Sequence, residues 1–260
     1  MILRRVIEHV GKQQWTAIWI DLVIVVVGVF IGIQVSNWNE ARATNRRAAE
    51  FTEQLTTDLR EEAWGSQLLV EYNGDVLANA ERAAAALDGR TVLSDAALLV
   101  SAYRATQYKQ KLRRRSTYDE LTSTGSIGLI RNRELRDTAM RVYTVPTYDN
   151  SAKEGRESLY RQAFRMSMPT EVQRALASHC GDRPLAIGDY AGLVGVLDYP
   201  CSTGLPDEVV AAAARTLRSD PTLVPLLRLR IADIETRLAD FTVNNKDIME
   251  GLQAIATREN

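Results

Sequence analysis

The sequence predicts an all-α protein: an N-terminal transmembrane helix that continues into an elongated helical bundle with a heptad-patterned C-terminal helix. Three observations carry that prediction. From Thr16 to Val35 the chain is apolar over the length of a bilayer crossing. From Gln34 to Trp64 it contains neither glycine nor proline, so nothing interrupts a helix there. Near the C-terminus apolar residues recur at alternating spacings of four and three, while the period-two alternation of strands is scarce throughout. The expected organisation is a short N-terminal segment over 1–15, a transmembrane helix over 16–38 and a helical-bundle domain over 39–260.

The span is justified by its length and its ends. About twenty residues at 1.5 Å each give roughly 30 Å, the thickness of a hydrocarbon core. Leu22 to Ile33 has no polar side chain, and Trp15, Trp19 and Trp38 stand at its ends like the aromatic belts of membrane interfaces. A cleavable signal peptide is the rival reading, because Arg4, Arg5 and Lys12 precede the run and Ala41-Arg42-Ala43 has a small-x-small form. The run is longer than the roughly 7 to 15 residues of a signal core, which favours the span. Asp21, Gly28 and Gly32 fall on one helical face, and Gly28 to Gly32 is a GxxxG spacing. That face is either a packing contact between copies of the span or a set of common membrane glycines beside an aspartate that reaches the interface.

Orientation is nearly balanced by charge, with Arg4, Arg5 and Lys12 before the span and Arg42, Arg46 and Arg47 after it. Cys180 and Cys201 are the two cysteines of the chain, and they flank a stretch containing glycine and proline. A disulfide between them would place the domain outside the cytosol; two free, buried thiols are the alternative. The disulfide reading sets the expected location: the inner membrane, single-pass, with the large domain exported to the periplasm.

Helix ends follow from local chemistry. The long first helix, carrying Phe51, Leu55, Leu59, Leu68, Leu69, Val76 and Leu77, should stop near Asp88-Gly89, where glycine suits a left-handed cap. Ser94 should cap a second helix. Thr117, with Glu120 three residues on, reads as a capping box opening a third, which Gly125 ends. Asn132 should cap a fourth that Pro146 breaks. Further helices are expected around 152–166, 170–178 and 207–215. In the last helix Leu227, Ile231, Ile234, Leu238, Phe241, Asn245, Ile248, Leu252 and Ile255 form a heptad seam, with Asn245 its one polar member and a candidate for fixing register. The seam packs either on the first helix of the same chain or on a second chain; a domain of this size needs its own core, which favours the first.

Catalytic chemistry is hard to assemble from these residues. The two histidines are His9, before the span, and His179, beside Cys180 but without the further ligands of a zinc site. HExxH, P-loop and GxGxxG patterns are missing, and Asp119 and Glu120 diverge by 100° on a helix rather than facing one bond. No enzyme, metal or cofactor is expected. A formal charge of −1 with 25% charged residues gives no footprint for nucleic acid. Lys109, Lys111, Arg113, Arg114 and Arg115 place five positive charges in seven residues. They read either as a solvated loop balanced by nearby acids or as a docking site for anionic lipid headgroups, acidic glycan or an acidic protein surface.

Two blocks carry a family resemblance. The run from Asp21 through Gly28, Gly32 and Gln34 to Asn37-Trp38-Asn39-Glu40 resembles the anchor of a family of bacterial single-pass membrane proteins known only as a domain of unknown function. Thr117-Tyr118-Asp119-Glu120-Leu121, Ser123-Thr124-Gly125, Leu129-Ile130-Arg131-Asn132 and Glu134-Leu135-Arg136 are similar to that family's second block. Many relatives have glutamate in place of Asp21 and asparagine in place of Ser36, substitutions of similar chemistry. The resemblance implies a membrane-anchored helical protein and assigns no catalytic residue. The second block reads as a tight helical corner; were it a pocket, Tyr118, Ser123, Thr124, Arg131 and Asn132 would line it. The functional expectation is an envelope interaction or assembly module. Its partners would be the lipid bilayer, further copies of the chain through the span, and an envelope protein. A sensor-like domain for a small anionic ligand is the alternative.

Overall fold

The computed structural model describes residues 15–111 and 113–257. Arg4, Arg5, Lys12 and His9, and with them half of the charge comparison across the span, lie outside the described residues. The described residues are helical with no strands. Helix α1 covers Trp15–Leu87. It ends as its sequence requires: the Arg90 amide donates to the Ala85 carbonyl and the Gly89 amide to that of Ala86, with Gly89 at φ 74°. That is the paired bonding of a helix closed by a left-handed glycine.

The chain divides into two compact units, one extending to Glu53 and one beginning at Gln54. In the first, the apolar run is long and apolar enough to cross a bilayer, and none of it is buried. A methyl group added at Gly28 or Gly32 would meet nothing within 4 Å, and Asp21 is partly exposed on the same run. The Arg42 guanidinium stacks over the Trp38 ring at 5.5 Å.

In the second unit α2 (Asp95–Arg104) is capped by the Ser94 hydroxyl, which accepts from the Ala97 amide at 3.2 Å. Helix α3 (Ser116–Ser123) departs from expectation: Arg115 precedes it, Thr117 is buried inside it, and no capping box forms. An Arg115–Asp119 pair holds its first turn instead, at 2.9 Å and with three hydrogen bonds. Gly125, at φ 69°, ends α3 and opens a 3-10 turn over Ser126–Leu129. Asn132 Oδ1 accepts from the Leu135 amide to start α4 (Arg133–Thr144), and Pro146 separates it from α5 (Thr147–Glu157). The single helix expected over 152–166 is in fact two, broken at Ser158, whose ψ of 126° leaves the helical region. After that break α6 (Leu159–Ser167) carries Tyr160 and Phe164 into the core beside Tyr103. Then follow α7 (Thr170–Cys180), a 3-10 turn over Ala191–Leu193, α8 (Asp207–Ser219), α9 (Leu223–Ala239), a π-helical turn over Asp240–Asn244 and α10 (Lys246–Thr257).

The core is built along α1. Ala80, Ala83 and Ala84 let α2, α6, α8 and the start of α9 approach closely through Leu98, Phe164, Ala213, Leu223 and Leu227. Earlier on α1, Trp64, Leu68, Tyr72 and Val76 enclose Ile234 with Leu193, Val196 and Leu197. Leu69 meets Tyr148 and Phe241, whose rings stack at 5.5 Å. The last-helix seam therefore packs on α1 of its own chain.

Its phase differs from expectation. The fully buried line is Leu223, Leu227, Arg230, Ile234, Arg237 and Phe241, while Ile231 and Leu238 flank it partly exposed. The π turn inserts an extra residue before the pattern resumes at Ile248, Leu252 and Ile255. Asn245 sits at that break, half-buried, and its amide donates to the Asp240 carbonyl at 2.7 Å. It closes the π turn of its own segment.

Candidate functional site

The basic run after α2 folds onto α1 at Glu62, a carboxylate with no exposed surface. Lys111 Nζ lies 2.6 Å from Glu62 Oε2 and also donates to the Glu62 carbonyl at 2.8 Å and to Ser66 Oγ at 3.0 Å. Gly65 makes room for it, since a Cβ there would stand 2.7 Å from Lys111 Cε. Arg113 Nε approaches the same Glu62 oxygen at 3.3 Å, and the Arg114 amide donates to Glu62 Oε1 at 2.8 Å. Two tyrosines roof the cluster: Lys111 Nζ is 4.7 Å from the Tyr148 ring, and the Arg113 guanidinium is 5.1 Å from Tyr148 and 5.6 Å from Tyr143. Burial pushes the Lys111 ammonium down to about 8, against the upward pull of Glu62.

The remaining cations of the run pair outward. Arg114 bonds Glu61 at 2.7 Å, Arg115 bonds Asp119, and Lys109 bonds Asp182 at 2.8 Å. Arg114 and Arg115 stay 58% and 46% exposed in these pairs, and the contacts of the run follow the first sequence reading, a loop balanced by nearby acids. Its two central cations are buried on Glu62 and the other three hold carboxylates of the same chain, because the acids of α1, α3 and the loop after α7 converge on it.

The second-block residues do not converge on a pocket. Tyr118 is buried and stacks on Tyr143 at 4.9 Å. The hydroxyls of Ser123 and Thr124 donate to the Glu120 carbonyl, Asn132 caps α4, and Arg131 is at the surface. The block forms a helical corner.

Cys180 and Cys201 are joined by a disulfide with Cα atoms 5.5 Å apart. The segment they close is tied to α1 at four points. Tyr72 Oη donates to Asp182 at 2.6 Å, and Trp64 Nε1 donates to the Asp189 carbonyl at 3.1 Å. Asp75 Oδ2 accepts from the Leu197 and Asp198 amides, and Arg82 pairs with Asp198. Arg104 reaches the same segment, donating to the Cys180 and Tyr199 carbonyls, while the Tyr199 ring lies 4.5 Å from Arg104 and 3.9 Å from Arg183. Nearby, Arg230 donates to the Ala105 and Gln107 carbonyls and Arg161 to that of Thr106, so cations compensate the electronegative end of α2. Arg237 bonds Asn73 and Glu154. Sequence reasoning missed Arg230 and Arg237; their spacing of seven from each other, in phase with Leu223, was the available signal.

One face of α1, the disulfide-closed segment and α10 enclose a cleft of about 820 Å³. Ala63, Leu193, Leu252 and Ala254 form apolar walls, Tyr190 and Val194 the lip, and Gln67, Glu71, Glu250 and Gln253 the polar positions. Gln67 Nε2 donates to Glu71 Oε1 at 2.8 Å. No family model, curated protein or solved structure matches the chain.

Proposed function

We propose that this chain is a single-pass protein of the bacterial inner membrane whose helical domain is exported and acts by binding or assembly, in keeping with the anchor resemblance. The observation that carries the reading is the Cys180–Cys201 disulfide in a chain whose first helix contains an unburied apolar run of membrane length. Disulfides persist outside the cytosol, and a bilayer would cover the run. The open face at Asp21, Gly28 and Gly32 supports self-association of the span, as close backbone approach in lipid requires small residues. A coiled coil between copies is not needed for the seam, which α1 already covers.

A sensor role is the second reading. The cleft favours it, because a ligand there would touch Ala63, Gln67 and Glu71 of α1, the helix that includes the apolar run.

The test is thiol labelling of intact cells with a membrane-impermeant reagent, before and after reduction. Labelling of Cys180 and Cys201 only after reduction is the expected result. Labelling only after lysis, without reduction, would overturn the proposed topology. For self-association, Gly28→Ile should reduce crosslinking between copies in bilayers, and unchanged crosslinking would remove the span from the contact.

A further inference from the structure

We propose that the cleft between α1, the disulfide-closed segment and α10 binds a small amphipathic cation, an apolar body of ring size carrying an amine. The proposal goes beyond the function above and is independent of which side of the membrane the domain occupies.

Size, lining and charge carry it together. At about 820 Å³ the cleft falls within the roughly 300–1,000 Å³ of small-molecule sites, and its walls are apolar as such sites are. Met249 supplies a polarisable, adaptable surface at one side. Tyr190 and Val194 leave apolar surface exposed at the lip, with Val194 79% exposed, and a seated ligand would cover it. The charged residues among those lining the cleft are Glu71 and Glu250, both acidic. Glu71 is oriented by Gln67. Glu250 pairs with Lys246 at 3.4 Å, and the side chains of both are more than 60% exposed. Such an exposed pair holds its partners weakly and can be exchanged for a ligand amine. Among the described residues lining the cleft an anionic ligand would meet two carboxylates and no cation, so this lining is complementary to the opposite charge from the anionic-ligand expectation.

The experiment uses the full chain in lipid nanodiscs, with empty nanodiscs as reference, and three probes sharing an indole body: tryptamine, neutral 3-methylindole and anionic indole-3-propionate. Binding is read by calorimetry and saturation-transfer resonance. Tryptamine should bind about five-fold more tightly than 3-methylindole, the scale of one or two solvent-screened charge contacts, and indole-3-propionate more weakly than either. The double substitution Glu71→Gln/Glu250→Gln should make tryptamine and 3-methylindole equal. Ala254→Trp and, separately, Ala256→Trp should abolish binding while leaving helical content and the melting temperature near those of the parent.

Indole-3-propionate binding as tightly as tryptamine would overturn the proposal. So would the absence of binding by all three probes, or tryptamine affinity unchanged in a filling variant that remains folded. If the probes fail and Ala254→Trp instead abolishes self-association, the cleft is a contact between copies. None of these outcomes bears on thiol accessibility, so failure here and failure of the proposed topology are separable.

Discussion

Lys111 Nζ lies 2.6 Å from Glu62 Oε2, with the lysine side chain 5% exposed and the glutamate not at all, although the two are 49 residues apart. Neighbouring groups offset part of the desolvation of both charges: Ser66 Oγ and the Glu62 carbonyl accept from the lysine, the Arg114 amide donates to Glu62 Oε1, and the Arg113 guanidinium lies 3.3 Å from Oε2. The loop from α2 to α3 is thereby fixed on α1 by a charge that has nowhere else to go.

Removing one member of this pair should therefore be costly. Lys111→Met is expected to destabilise the domain by about 3–5 kcal/mol, since the buried Glu62 loses its nearest cation, and Glu62→Gln in the same chain should restore part of the loss. Urea unfolding of the single and double variants measures both.

Glycines inside helices should respond against propensity. Gly65→Ala ought to stabilise α1 by about 1 kcal/mol if only helix propensity acted. The new methyl would instead displace Lys111 Cε from Glu62, so a net loss of stability is expected in the parent chain and a gain in a Lys111→Ala background. Gly155→Ala, which would press on Tyr108 Cβ, should destabilise in both backgrounds. Thermal melts of the four combinations decide the matter.

Loss of the disulfide should loosen one wall of the cleft. The bridge joins residues 21 apart, and a loop of this size contributes about 3 kcal/mol in the chain-entropy account. Cys201→Ser is expected to lower stability by that order. It should also shift Trp64 fluorescence to the red, because Trp64 is held by the Asp189 carbonyl of the closed segment. Stability and emission both unchanged would mean that the contacts through Tyr72, Asp75 and Arg82 suffice.

The pH dependence should be steep on the alkaline side. Burial raises the phenol pKa of Tyr72, Tyr143 and Tyr160 well above 10, with Asp182 adding to it at Tyr72 and Glu62 at Tyr143. Above pH 10 the unfolded chain releases these protons and the folded one retains them. Their contribution is complete below pH 10 and is lost as pH rises, by about 1.4 kcal/mol per tyrosine per pH unit. Lys111 acts oppositely: with its pKa lowered to about 8, the unfolded chain holds the extra proton between about pH 8 and 10.5, so this group favours folding as pH rises through that window. Stability measured by denaturant titration should therefore fall steeply only above pH 10. A direct check is absorbance at 295 nm, in which Tyr72, Tyr143 and Tyr160 should ionise only with unfolding, while Tyr103, Tyr148 and Tyr190, also raised by burial, ionise later than free tyrosine.

Most helix ends were legible because capping is a local matter. Ser94 and Asn132 each bond an amide three residues on, Gly89 and Gly125 occupy left-handed positions, and Pro146 separates two helices. Thr117 misled for an equally physical reason. A cap must stand outside the helix, and the Arg115–Asp119 pair extends α3 one residue before it, which places Thr117 within the buried face. The candidate sites were less legible. Counting positive charges in 109–115 could not tell Lys111 and Arg113, which bury, from Arg114 and Arg115, which do not, because the difference lies in Glu62 on another helix.

The sequence by itself determined the all-helical class, the apolar run of membrane length and the positions of most helix ends, since each depends on residues within a turn or two of one another. Tertiary structure alone decided that Arg230 and Arg237 rather than Ile231 and Leu238 occupy the buried line of α9, that the two cysteines meet, and that Glu71 and Glu250 share a cleft. The reason is that burial of a charge depends on whether a matched partner arrives from a distant segment. Arg230 goes inside because the free carbonyls at the end of α2, more than a hundred residues away, are there to receive it.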